Sequence, residues 1–241
     1  MSELNWQTGI PGSVGTGGAP LYAGTTAAFP TPSGGGSRTY SWRAADASIN
    51  GAHAVRVDAP NFAPIPGNNG GSIRGAIYRA DGSSAEDHSV FLFFQLQEDD
   101  TSGTAYLLGL SPEVSSHLVL VKGPLSSGIP TSAEKTDGVV RRSTETYGQG
   151  TWLHVRLDVV VNPNGDVVLN TWVNDLTAND VTAPTWVAVD EMSGVIDDVL
   201  GWETGTPGLN VGGRMGFAYH ATSSGTAGAV DHIRVARNNV P

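Results

Sequence analysis

The chain of 241 residues contains no cysteine. That one absence excludes disulfides, thiolate nucleophiles and cysteine-ligated zinc or iron–sulfur centres, so stability has to come from packing. Positive charge is scarce as well: 13 Lys and Arg stand against 23 Asp and Glu, a formal net charge of −10. A field of that sign repels phosphate backbones, and nucleic acid is not an expected partner. Long apolar runs are missing too, none approaching the roughly 20 residues that span a bilayer. The opening residues, Met1 to Trp6, show neither a basic nor an apolar export region. A soluble protein made in the cytoplasm, with no membrane partner, is the expectation.

What the chain has in quantity is glycine, 32 residues, with 14 prolines. Such a composition means many turns between short elements and favours β-structure over long helices. Residues 1–37 are Gly, Pro, Ser, Thr and Ala with few large side chains, too little apolar surface to offset their own ordering entropy. They read as an N-terminal arm preceding a domain of residues 38–241. The arm either lies over its own domain or docks on another subunit, with Trp6, Leu21, Tyr22 and Phe29 as the candidate anchors.

From Arg38 onward, short runs with a period of two recur, each closed by Gly, Pro, Asn or Asp. The clearest is 151–161, with Leu153, Val155, Leu157, Val159 and Val161 on one face and His154, Arg156 and Asp158 on the other. Asn162-Pro163-Asn164-Gly165-Asp166 then supplies a tight turn, and Val167, Leu169, Thr171 and Val173 resume the alternation, which predicts an antiparallel hairpin. The runs 90–94 and 118–121 are apolar on both parities and are expected to be central strands, buried on both faces. Only 193–200, with Val195/Ile196 and Val199/Leu200 four apart, hints at a turn or two of helix, weakened by Gly194.

Several of these segments resemble a known family. Gly150-Thr151-Trp152-Leu153-His154-Val155-Arg156-Leu157-Asp158 is similar to a core strand of laminin G-like and concanavalin A-like domains. Gly212-Gly213-Arg214-Met215-Gly216-Phe217-Ala218-Tyr219 and Ala229-Val230-Asp231-His232-Ile233-Arg234-Val235 resemble that family's last two core strands. Tyr106-Leu107-Leu108-Gly109-Leu110-Ser111 and Leu118-Val119-Leu120-Val121-Lys122-Gly123 resemble segments of bacteriophage virion proteins of this class. The resemblance covers roughly residues 38–237. It implies an all-β fold, a two-sheet antiparallel jelly-roll sandwich of the concanavalin A-like lectin and glucanase type.

Catalytic apparatus is not readable. A retaining glycanase needs two carboxylates about 5 Å apart, commonly from a Glu-x-Asp-x-Glu strand, and no such triplet occurs. Glu86-Asp87, Glu98-Asp99-Asp100, Asp190-Glu191 and Asp197-Asp198 place neighbouring carboxylates on opposite faces of a strand and read as solvated loops. The lesser reading of Asp99/Asp100 and Asp197/Asp198, a loop calcium site, lacks the usual spacing. The six histidines show no zinc spacing, and no Gly-x-Ser-x-Gly elbow or phosphate loop is present. No catalytic residue, metal ligand or cofactor is therefore assigned. Trp42, Trp152 and Trp172 read as core or sheet-surface packing. Trp186 and Trp202, in loop-rich stretches, are the candidate sugar platforms.

The leading expectation is a non-enzymatic virion protein, a decoration, neck or tail-associated component located in the virion. It would bind other virion subunits and form a homo-oligomer in the particle. It rests on the resemblance, the cysteine-free acidic composition and the arm. The alternative is a carbohydrate-binding, lectin-like module that contacts host glycan.

Overall fold

A computed structural model describes residues 12–13, 22–23, 40–43, 51–56, 70–79, 89–96, 104–110, 116–124, 139–147, 150–174, 183–197, 208–209, 214–221 and 226–237. Fourteen strands are formed among them and no helix: β1 (Gly12–Ser13), β2 (Tyr22–Ala23), β3 (Tyr40–Arg43), β4 (Gly51–Arg56), β5 (Gly71–Arg79), β6 (Ser89–Leu96), β7 (Thr104–Leu110), β8 (Ser116–Pro124), β9 (Val139–Tyr147), β10 (Trp152–Val161), β11 (Val167–Asn174), β12 (Val187–Asp197), β13 (Arg214–Ala221) and β14 (Thr226–Arg237). They pair antiparallel in two seven-stranded sheets. Sheet I runs β1-β4-β13-β6-β7-β8-β9 and sheet II runs β12-β11-β10-β5-β14-β3-β2. The chain alternates between the sheets from β3 to β6, meanders through β6 to β9 in sheet I and β10 to β12 in sheet II, then inserts β13 and β14 into their interiors. This is the jelly-roll sandwich that the resemblance implied.

Two short strands precede residue 38. Gly12 and Ser13 pair with Ala54 and His53 of β4, and Tyr22 and Ala23 with Ser41 and Tyr40 of β3, so backbone from this segment edges both sheets.

One core fills the space between the sheets, because each strand sends alternate residues inward. Val90, Leu92 and Phe94 of β6, Tyr106, Leu108 and Leu110 of β7, and Leu118 and Leu120 of β8 meet Ile73 and Ile77 of β5, Leu153 to Val159 on alternate positions of β10, and Val167 and Leu169 of β11. The expected hairpin is present, with Val161 opposite Val167. Its turn is held by Asn162, whose Oδ1 accepts from the backbone N–H of Asn164 at 3.0 Å and of Asp166 at 2.9 Å.

The double-parity runs are buried on both faces as expected: Phe91, Phe93, Leu107 and Val121 are as inaccessible as the inward residues beside them. Gly109 is required by this second layer. A Cβ there would run into the Val90 carbonyl oxygen and lie 2.7 Å from the Phe91 Cα.

The helical hint at 193–200 is corrected. Residues 193–197 continue β12 as strand, with Val195 in the core and Ile196 exposed. Gly194, at φ +68°, sits where the register with β11 shifts, and its N–H donates to Asn170 Oδ1 at 2.8 Å. A β-bulge therefore breaks the period of two at Gly194, while Val199 and Leu200, the other half of the hint, lie outside the described residues.

Candidate functional site

The outward side of sheet II carries a cluster of aromatic and hydrogen-bonding side chains. It arises directly from the alternation of β5, β10 and β11: where Leu153, Val155 and Leu157 point inward, Trp152, His154, Arg156 and Asp158 point outward. Register sets the rows. Trp152 lies opposite Tyr78, His154 lies between Ala76 and Asn174, and Arg156 lies between Arg74 and Trp172.

Each aromatic group is fixed by a neighbour. Trp152 packs on Ala76 and on the Tyr78 ring, with centroids 5.3 Å apart. Trp172 Nε1–H donates to Asp158 Oδ2 at 2.9 Å, and the other oxygen of that carboxylate accepts from Arg156 Nε at 2.6 Å. Trp186, just ahead of β12, lies over His154 with centroids 4.6 Å apart, and the Arg156 guanidinium carbon is 6.0 Å from its ring centre. His154 is fully buried beneath it. Asn174 Oδ1 accepts from the Thr185 N–H at 2.9 Å, which turns the Asn174 amide nitrogen toward His154 Nδ1, 3.4 Å away. That orientation makes Nδ1 the acceptor and leaves the ring proton on Nε2. The short Thr185 to Trp186 approach is thus anchored to the sheet, and the indole is held rather than free to swing.

The candidates named from sequence fall as follows. Trp186 is part of this face, half-buried. Trp202, Trp6, Leu21 and Phe29 lie outside the described residues, and Tyr22 is placed only as a backbone partner of Ser41. Tyr78, Trp172, Arg156 and Asp158 were not singled out as a site by the sequence reading. Their signal was the polar parity of 152–158, read strand by strand without the cross-strand register that assembles it.

Two further polar clusters stand apart. At the sandwich edge, β9 and β12 frame a cleft of about 270 Å³ lined by Glu145, Tyr147, Val173, Val187, Val189, Asp190 and Glu191. Thr144 Oγ1 donates to Glu191 Oε1, which holds that exposed carboxyl below its usual range. Burial, then the Glu145 and Glu191 charges, push Tyr147 up to about 12. Asp190 and Glu191 are thus strand residues rather than loop residues. The second cluster corrects the reading of Asp197 as a solvated loop acid. Its Oδ2 is 2.7 Å from Lys122 Nζ and accepts from Tyr106 OH at 2.6 Å, all deep in the interior. The hydroxyl oxygen of Tyr106 in turn accepts from the Leu209 N–H at 2.9 Å. Glu86, Asp87, Glu98, Asp99, Asp100 and Asp198 lie outside the described residues. Among the described residues no three His, Asp or Glu side chains converge as a metal site.

No family model and no curated protein matches the chain. Solved structures do resemble it. The carbohydrate binding module CBM66 from Bacillus subtilis is 10% identical, with a TM-score of 0.47 over 92% of this chain and 96% of that one. The carbohydrate recognition domain of Emp47p is 8% identical, with a TM-score of 0.45 over 96% and 95% of the two chains. The alginate lyase Aly36B is 10% identical, with a TM-score of 0.43 over 90% and 87%. These likenesses concern the course of the backbone. They say nothing of any side chain on sheet II.

Proposed function

We propose that this protein binds carbohydrate on the outer face of sheet II and does so without catalysis. The observation that carries the reading is the indole of Trp186, held over His154 and next to Arg156, on a face that also presents Trp172 and Asp158. Sugar rings present C–H faces that pack on aromatic surfaces and hydroxyl edges that need hydrogen-bonding neighbours, and this face offers both within two adjacent rows. An indole already fixed by His154 and the Asn174 anchor loses little freedom when a ligand stacks on it. Binding rather than turnover is favoured because the Asp158 carboxylate on this face is taken up by Arg156 Nε and Trp172 Nε1–H.

Nothing in the fold or in the comparisons supports a virion partner, a phage origin or self-association, so the lectin-like alternative takes the lead over the virion reading. Affinity electrophoresis of the full chain through gels containing soluble polysaccharides tests it. Retardation by at least one glycan, lost in Trp186→Ala with an unchanged melt, is the expected result. Turnover of a retarding glycan would replace binding by catalysis.

A further inference from the structure

The row of outward positions through Arg156 has an unusual composition for a chain of net charge −10. Reading across β5, β10 and β11, the register partners are Arg74, Arg156 and Trp172. Neighbouring strands are about 4.8 Å apart, so consecutive cationic positions in one row repel one another and destabilise the sheet unless anions offset them. Two of the chain's 13 basic residues lie opposite each other in this single row. An acid on this face, Asp158, is bonded to Arg156.

Arg156 is where the offset stays incomplete. Its Nε is used by Asp158 Oδ1, and no hydrogen bond from either Nη is found among the described residues. Its side chain keeps 34% of its exposure. The Nη pair is a planar fork whose two parallel N–H groups match the two oxygens of a carboxylate. Asp158 fixes the guanidinium plane from the other edge, so the fork is aimed in advance. Only Arg156 needs an open fork for this, since Arg74 has an interaction of its own.

We infer that the glycan taken by this face is acidic, its carboxylate held by the Nη fork of Arg156 while a pyranose ring of the same chain stacks on Trp186. The inference rests on the carbohydrate reading above and narrows it to uronate-bearing chains. The protein's overall negative field opposes long-range attraction of such a polymer, so the contact has to be made at short range, by a bidentate bond beside an aromatic surface. That combination discriminates against neutral chains, which leave the fork without an acceptor.

The test compares polygalacturonate with the same polymer after carboxyl reduction, by titration calorimetry on the full chain and on Arg156→Gln, Arg156→Lys and Trp186→Ala, each checked by its melt. The expected result is a preference of about tenfold or more for the acidic polymer, the size of one charge-assisted hydrogen bond. Arg156→Gln should abolish the preference, so that the acidic and the reduced polymer bind the variant alike, and Arg156→Lys, which keeps the charge but not the fork, should restore little of it. Equal binding of the two polymers, or a preference that survives Arg156→Gln, overturns the inference and leaves the carbohydrate reading standing. A preference that survives Trp186→Ala also overturns it, because charge alone would then be holding the polymer. Failure to bind either polymer, with no retardation by any other glycan, removes both.

Discussion

At the scale of single residues, the two faces of β10 make opposite demands. Leu157 is wholly enclosed by the core, and Leu157→Ala should cost about 2 to 5 kcal/mol, because both transfer energy and packing are lost. Asp158→Ala, next along the strand, removes a partly exposed ion pair and one indole hydrogen bond, and should cost less than about 2 kcal/mol. Urea midpoints at unchanged slope give the comparison, and equal losses would mean that the faces are misassigned. Thr171 makes a third case. It occupies an inward position of β11, fully buried, and its hydroxyl has no hydrogen-bond partner among the described residues. Thr171→Val keeps the shape and deletes the unpaired hydroxyl, so it should stabilise by about 1 kcal/mol. A midpoint that falls instead would reveal a partner for that hydroxyl.

Elements show where sequence periodicity is enough and where it fails. The β10–β11 hairpin could be read from the chain alone because one face is core and one is wet, and because Asn162 closes the turn with its own side chain. The tail of β12 could not, since the bulge at Gly194 shifts the register with β11 and breaks the period of two. The outward face of sheet II was legible residue by residue, as a run of polar parity, but not as a site. The row through Arg74, Arg156 and Trp172 depends on which strands neighbour which, and that is fixed by the whole topology. The buried Lys122–Asp197 pair was missed for the same reason, although Lys122 at the inward parity of Leu118 and Leu120 was a usable sign. One element-level prediction follows from the register of β6 and β7, which Gly109 and Phe91 share. Gly109→Ala has nowhere to place its methyl without moving backbone, so it should destabilise by several kcal/mol or prevent folding. Soluble expression and a circular dichroism melt measure it, and a melt like that of the parent would contradict the close pairing.

For the molecule as a whole, the tie between the sheets is tested by alkali. Tyr106 stands on β7 of sheet I, and its hydroxyl bonds Asp197 at the end of β12 in sheet II. Burial, then the Asp197 carboxylate, hold the Tyr106 phenol far above the ordinary tyrosine range, and burial raises Tyr147 to about 12. A phenol whose folded value exceeds its unfolded one binds its proton more tightly in the native state. Below pH 10 the phenols are protonated in both states and their contribution is fully present. Above pH 10 the unfolded chain releases protons that the fold retains, so stability falls, by up to about 1.4 kcal/mol per pH unit for Tyr106. The loss from Tyr147 ends near pH 12, where its folded form also ionises, and is smaller because solvent reaches the ring. Melting temperature should thus hold level from pH 7 to about 9.5 on this account and drop steeply beyond 10, with tyrosinate absorbance from Tyr106 rising only as the chain unfolds. Tyr106→Phe should start from a lower melting temperature, having removed the phenol's bonds to Asp197 and from the Leu209 N–H, yet decline more gently with alkali. If the variant and the parent lose stability in parallel above pH 10, Tyr106 ionises without unfolding the sandwich and is not the buried link between its sheets.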